Sequence, residues 1–275
     1  MIKVLLLTGQ SNQWHNWRVS SRALEKALQS NPLFEVETLV SPSAGEDFSD
    51  FSPVWGNFDA VVMDYEGDEW PETVKQGFVD YMAQGGGLVA FHASDNAFPD
   101  WPEFNEMIGV GGWGGRDEKS GPKVRWREGE MVLDPGPGEA MHPAPFEYTL
   151  DTRAPEHPVM RGLPSSWLHA IDEQYSQLRG PAKNLTVLAT AIAGPEVEGG
   201  TGEHEPMLMA IEFGKGRIFH TTLGHVGAND EETTLAMRCA GFETTLSRGL
   251  EWAATGSVTQ EIPADFPSGD TVSLR

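Results

Sequence analysis

Short apolar runs alternate with amphipathic stretches over the first third of this chain, and that alternation restricts the fold more than any other feature. Lys3 to Thr8 is an apolar run that stops at Gly9, the pattern of a strand buried on both faces. Val19 to Ser30 places Ala23, Leu24, Ala27 and Leu28 on one helical face and ends at Asn31-Pro32. Phe34 to Val40 and Ala60 to Asp64 read as further strands. Glu72 to Gln84 is a helix with Val74 and Phe78 inward, opened by Trp70-Pro71 and stopped by Gly85. Leu88 to Phe91 is the fourth strand. A βαβ alternation of this kind predicts an α/β fold whose parallel sheet is joined by right-handed crossovers.

The second part of the chain is less regular. From Phe98 to about Asp151 glycine and proline are dense, and the segment reads as a long loop insertion that shapes a pocket. Strand patterns resume at Pro145 to Leu150, Leu185 to Ala193 and Pro206 to Glu212, and Gly214-Lys215-Gly216 turns a hairpin into Arg217 to Leu223. Glu231 to Ala254 carries Leu235, Cys239, Phe242, Leu246, Leu250 and Ala253 at spacings of three and four, which predicts the longest helix. The polar tail after Gly256 is expected to wrap or fray.

Charge and cysteine usage narrow the function classes. The net charge is −22, from 41 acidic and 19 basic side chains. No cluster of Lys and Arg offers itself to phosphates, so nucleic acid and anionic membranes are poor partners. Cys239, the single cysteine, lies at an apolar helical position and reads as a buried structural thiol. The apolar run of MIKVLLLTGQ is too short for a signal peptide, and no stretch approaches the ~18 apolar residues of a membrane span. A cytoplasmic location is expected.

Candidate chemistry gathers where predicted strands end, because open α/β sheets bind ligands beyond the carboxyl ends of their strands. His92 directly follows Leu88 to Phe91, and Asp95, Asn96, Trp101, Trp113 and Arg116 follow within GGGLVAFHASDNAFPDWPEFNEMIGVGGWGGR. His225 closes TTLGHVG after another strand, and His15 with Trp17 lies in GQSNQWHNW after the first. Glu173 and Tyr175 share a face of an extended DEQY segment. His92, Glu173 and His225 are the catalytic candidates, since imidazole and carboxylate are the usual proton carriers. His15, Trp17, Asp95, Asn96, Trp101, Trp113, Arg116 and Tyr175 are the candidates for binding substrate. Aromatic faces beside amides and carboxylates suit a small-molecule sugar. His157 reads as a turn anchor, His142 is left open, and His169 and His204 are expected at the surface. Neither HExxH nor paired CxxC occurs, so spacing gives no zinc signature, although a divalent metal can still assemble from His92, His225 and a carboxylate. No GxGxxG follows the first strand, and a phosphate loop and GxSxG are missing, so no nucleotide cofactor and no ordinary acyl-enzyme are expected. The loop tryptophans fit a homo-oligomer interface as well as a ligand.

Several of these segments in this order resemble the trehalose-utilisation, or ThuA-like, family from about Lys3 to Gly256: LLLTGQSNQWHNW, the stretch from Gly85, GWGGR, EHPVMRGLP, DEQY, EPMLMAIEFGKGRIFHTTLGH and RGLEWAATG. The resemblance implies a class I glutamine amidotransferase-like architecture, a flavodoxin-like parallel sheet flanked by helices with long loop insertions. It implies one domain over residues 1–256 and a C-terminal tail over 257–275. The amidotransferase cysteine would follow Phe91, where this chain has His92-Ala93-Ser94, so glutaminase activity is not implied. SNQWHNW departs from the family's Asn-His-Asp-Trp pattern at His15. The family's link to catabolism of trehalose and related disaccharides through 3-keto sugars implies a 3-keto-glycoside lyase, hydrolase or isomerase, with His92 and Glu173 moving a proton beside a ketone. The competing expectation is a non-catalytic sugar-binding or regulatory module, and metal-dependent hydrolysis is a third.

Overall fold

A computed structural model describes all residues 1–275. Strands β1 (Ile2–Thr8), β2 (Phe34–Val40), β3 (Ala60–Met63) and β4 (Gly87–Phe91) alternate with helices α1 (Trp17–Gln29) and α2 (Glu72–Gln84). Helix α3 (Pro102–Ile108), strands β5 (Lys123–Arg127), β6 (Glu130–Asp134), β7 (Phe146–Thr152), β8 (Ser166–Asp172), β9 (Leu185–Ile192), β10 (His204–Phe213) and β11 (Gly216–Thr221), and helices α4 (Leu235–Arg238) and α5 (Ala240–Thr255) follow.

All the strands join one sheet, ordered β2-β1-β3-β4-β11-β10-β9-β7-β8, with the β5–β6 hairpin attached to β10. Only the first five in that order are mutually parallel. Every other ladder is antiparallel, so the expected parallel sheet is corrected to a mixed one. The reason is local: the tight turn at Gly214 and Lys215 folds β11 back onto β10, which leaves no room for a crossover helix. Helices α1, α2 and α5 pack on the parallel half, while α3 also reaches β10 and α4 lies against β8.

Side-chain alternation divides the core into two layers. Val4 and Leu6 of β1 point toward α1 and α5 with Leu24, Leu28, Phe242, Leu246 and Leu250. Leu5 and Leu7 point the other way, with Trp55, Trp70, Phe78 and Met82 beneath α2. Both faces of β1 are therefore covered, as its unbroken apolar run requires.

Two further expectations are corrected. The stretch from Phe98 to Asp151 is not a bare insertion: it holds α3, the β5–β6 hairpin and most of β7. The helix expected over Glu231 to Ala254 begins only at Leu235 and is interrupted at Cys239, whose backbone is extended. Apolar spacing runs straight through that break because Cys239 and Phe242 still face the core. The tail wraps: Ala240 N–H donates to Ser273 and Arg275 N–H to Arg238, so the terminal segment takes up backbone groups freed at the break. Cys239 itself is buried.

Candidate active site

Four strand ends and the loops beyond them build one cluster. The polypeptide leaves β4 through His92, whose φ of +41° is unusual for a side-chain-bearing residue. A 3-10 turn follows over His92–Asn96, and Ser94 Oγ donates to Met63 O at 2.6 Å, tying that turn to the end of β3. Beyond β11, Gly224 has a φ of +99°, and a methyl group there would lie 2.8 Å from the Phe91 ring. That glycine lets His225 turn back over β4. The loop after β1 is held against the same region, with Asn16 N–H donating to Val226 O and Ala228 N–H to Trp14 O.

Asp172, at the end of β8, organises the rest. Its Oδ1 accepts from the N–H groups of Glu173 at 2.9 Å and His225 at 3.0 Å. Its Oδ2 accepts from Gly224 N–H at 2.7 Å and lies 2.9 Å from His169 Nε2. One carboxylate thus pins two loops far apart in sequence by charge-assisted hydrogen bonds. His169, expected at the surface, is fully buried as this partner; it sits on the same face of β8 as Trp167. His204 is half-buried on β10, beside Arg153 at 3.0 Å.

The functional side chains meet in front of this frame. His92 Nε2 is 3.1 Å from His225 Nδ1, and His225 Nδ1 is 3.1 Å from Glu173 Oε2. Tyr175 Oη lies 2.9 Å from His92 Nε2 and 3.1 Å from His15 Nε2. His142 approaches Glu173 to 3.7 Å. Donor atoms of His15, His92, Glu173 and His225 all fall within 4.8 Å of one another, a set able to hold a cation. Burial, then the neighbouring His225 and His15, pushes His92 well below the ordinary imidazole range. Burial and His15 lower His225 to about 4. Burial and the Asp172 charge raise the Glu173 carboxyl to about 8. Both imidazole shifts favour the neutral form of the ring.

With His92 buried behind them, His15, Glu173 and His225 line the floor of a cavity of about 750 Å³. Asn12, Trp14, Asn96, Trp113, His142 and Asp230 stand around it with Tyr175. Trp14 is 67% exposed at the rim, while Trp113 packs edge-on against Tyr175 with ring centroids 4.7 Å apart.

A family model described as trehalose utilisation, ThuA, matches residues 3–253. The chain belongs to the ThuA family. A ThuA-like protein of known structure from Parabacteroides merdae is 47% identical, with a TM-score of 0.95 over 100% of this chain and 97% of that one. A second, from Bacteroides uniformis, is 18% identical with a TM-score of 0.58 over 94% of each chain. A cytoplasmic protein from Salmonella typhimurium shares the fold at 15% identity and a TM-score of 0.50, over 92% of this chain and 99% of that one. No curated protein matches the chain. No helix is long and apolar enough to cross a membrane.

Of the residues named from the sequence, this ThuA-family structure brings His15, His92, Asn96, Trp113, Glu173, Tyr175 and His225 to the cluster or its cavity. Four others lie elsewhere. Asp95 is fully buried behind the site, 3.6 Å from His220. Trp101 packs among Trp70, Phe98 and Phe104 in the lower core. Trp17 lines an adjoining hollow with Ser43 and Ala44, on the far side of His15 and Asn12 from the cavity. Arg116 is buried and donates to the carbonyls of Asn96, Ala97 and Gly112, so it shapes the loop without facing the cavity. In each case closeness in sequence to His92 or His15 was the signal, and the tight turns after β1 and β4 send neighbours to opposite sides. Sequence reasoning left His142 open and did not single out Asn12, Glu66 or Asp230. His142-Pro143 in a glycine- and proline-rich stretch was the one available cue for the first; nothing local marked the others.

Proposed function

We propose that this ThuA-family chain is a cytoplasmic enzyme that processes a disaccharide or keto-sugar derivative by His/Glu acid–base chemistry, with a small-molecule sugar as its partner. The observation that carries the reading is the meeting of His15, His92, Glu173 and His225 beneath one cavity. Its volume of about 750 Å³ suits a ligand of disaccharide size. Trp14 and Trp113 supply aromatic faces for the C–H side of a sugar ring, and Asn12, Asn96 and Asp230 supply partners for its hydroxyls.

A ketone at C3 of a sugar acidifies the C2–H bond. In the proposed reaction a lone pair of the His92–His225 pair removes that proton, and the Tyr175 hydroxyl donates a hydrogen bond to the developing enolate oxygen. Collapse of the enolate then either returns a proton at a different carbon, which isomerises the sugar, or expels the C1 glycosidic oxygen, which leaves with a proton from the cluster. Incubation with 3-keto-trehalose in deuterated water tests the reading: C2–H exchange or glycosidic cleavage is expected, and the absence of both overturns it. His92→Ala should lower the rate by about 10²- to 10⁴-fold. A modest loss of sugar affinity with no turnover in either protein is the result expected of a non-catalytic binding module instead.

A further inference from the structure

We infer that His15, His92, His225 and Glu173 form a mononuclear site for a divalent transition metal of the zinc class, four-coordinate at rest and able to take a fifth ligand, the carbonyl oxygen of the substrate, from its cavity side. Three features of the geometry point to it. First, two of the three rings are oriented as metal-bound imidazoles usually are, with the remote nitrogen donating to a fixed acceptor. His92 Nδ1 is 2.6 Å from the carbonyl of Thr222. His15 Nδ1 is 3.0 Å from Asn12 Oδ1 and 3.3 Å from Glu66 Oε2. An N–H on each Nδ1 leaves each Nε2 as a bare lone pair directed into the cluster. Glu66 stands behind the His15 ring and fixes its acceptor, since Asn12 Nδ2 donates to Glu66 Oε1 at 2.8 Å.

Second, the spacing fits. Metal–ligand distances of 2.0–2.1 Å place the donors of a tetrahedral site roughly 3.3 Å apart. The His92–His225 and His225–Glu173 separations are both 3.1 Å, and the widest pair is within 4.8 Å. Third, the donor set of three imidazoles and one carboxylate is nitrogen-rich, which favours zinc-class ions over calcium or magnesium. Each donor comes from a different segment, and Asp172 holds two of those segments in place.

In the metal-bound protein the imidazole lone pairs and the carboxylate are committed to the cation, so the base role that the sugar reading gives the His92–His225 pair passes to Tyr175 and His142, which line the cavity without belonging to the donor set. The metal would polarise the carbonyl that the sugar reading places there. That last role rests on the sugar reading; the metal site does not.

The experiment uses the full, tag-free chain, stripped with a chelator, dialysed and titrated with Co²⁺ and then Zn²⁺. One equivalent of Co²⁺ should bind with a visible ligand-field spectrum, and Zn²⁺ should displace it. The double variant His225→Ala/Glu173→Gln should weaken Co²⁺ binding by at least about 100-fold, since loss of second-shell groups alone costs 10- to 100-fold. Circular dichroism confirms that the variant is folded, and His157→Ala, remote from the cluster, should bind Co²⁺ as the parent does. Absence of the Co²⁺ spectrum, or a spectrum unchanged in the double variant, overturns the metal site. Deuterium exchange on 3-keto-trehalose is measured in parallel. Co²⁺ binding without exchange removes the sugar reading and keeps the metal. Full exchange in stripped protein that binds no Co²⁺ does the reverse.

Discussion

At the scale of single residues, burial decides what each polar group does. Asp172 and His169 form a fully buried pair and Asp95 and His220 another, yet only Asp172 reaches the loops of the cluster. His157 shows the same principle away from the site. Its ring packs edge-on against Trp252 with centroids 4.7 Å apart, and its Nδ1 accepts from Val159 N–H at 3.3 Å. Burial, with the Arg161 charge adding, lowers its pKa from 6.5 to about 4. Between those values the unfolded chain takes up a proton that the folded chain refuses. This group's contribution to stability is therefore intact above pH 6.5, declines as the pH falls toward 4, and changes no further below it. His157→Leu should flatten the loss of thermal stability between pH 7 and 5 relative to the parent chain. Melting curves across that range check it, and an unchanged slope would refute the assignment.

At the scale of elements, close approach rather than propensity sets the geometry. Helix α5 crosses β11 at Gly249, where a methyl group would overlap the buried ring of Phe219. Alanine favours a helix over glycine by about 1 kcal/mol. Overpacking a filled core costs ~1–3 kcal/mol, so the clash should win. Gly249→Ala is expected to destabilise the protein, read as a lower urea midpoint with an unchanged slope. Elements of the parallel half were legible beforehand: β2 and α2 fall on the spans that period and stop signals predict, Phe34–Val40 and Glu72–Gln84. The break at Cys239 was not legible, because it exists through hydrogen bonds to a tail more than thirty positions away. The β5–β6 hairpin was hidden for a different reason. It attaches to the sheet through a single pairing, His204 with Trp126, and its outer face needs no apolar alternation.

At the scale of the whole molecule, a net charge of −22 means that the folded chain repels itself. Raising the ionic strength from ~0.01 to ~0.15 M shortens the screening length from ~30 to ~8 Å. The melting temperature should therefore rise over that interval; a fall would show that attractive ion pairs such as Arg127–Glu203 and Arg275–Asp265 outweigh the repulsion. Local order was written in the sequence itself: which segments are strands or helices in the first hundred residues, which face of each is apolar, and that histidines stand where strands end. These follow from periodicity and from backbone chemistry, which act over a few residues. The antiparallel pairings beyond the β10–β11 hairpin, the burial of His169, and the removal of Asp95, Trp17 and Trp101 from the cavity were decided only in three dimensions. So was the meeting of His15, His92, Glu173 and His225, since it depends on strand order and on one buried carboxylate holding two distant loops, and pairing across such distances leaves no period in the chain.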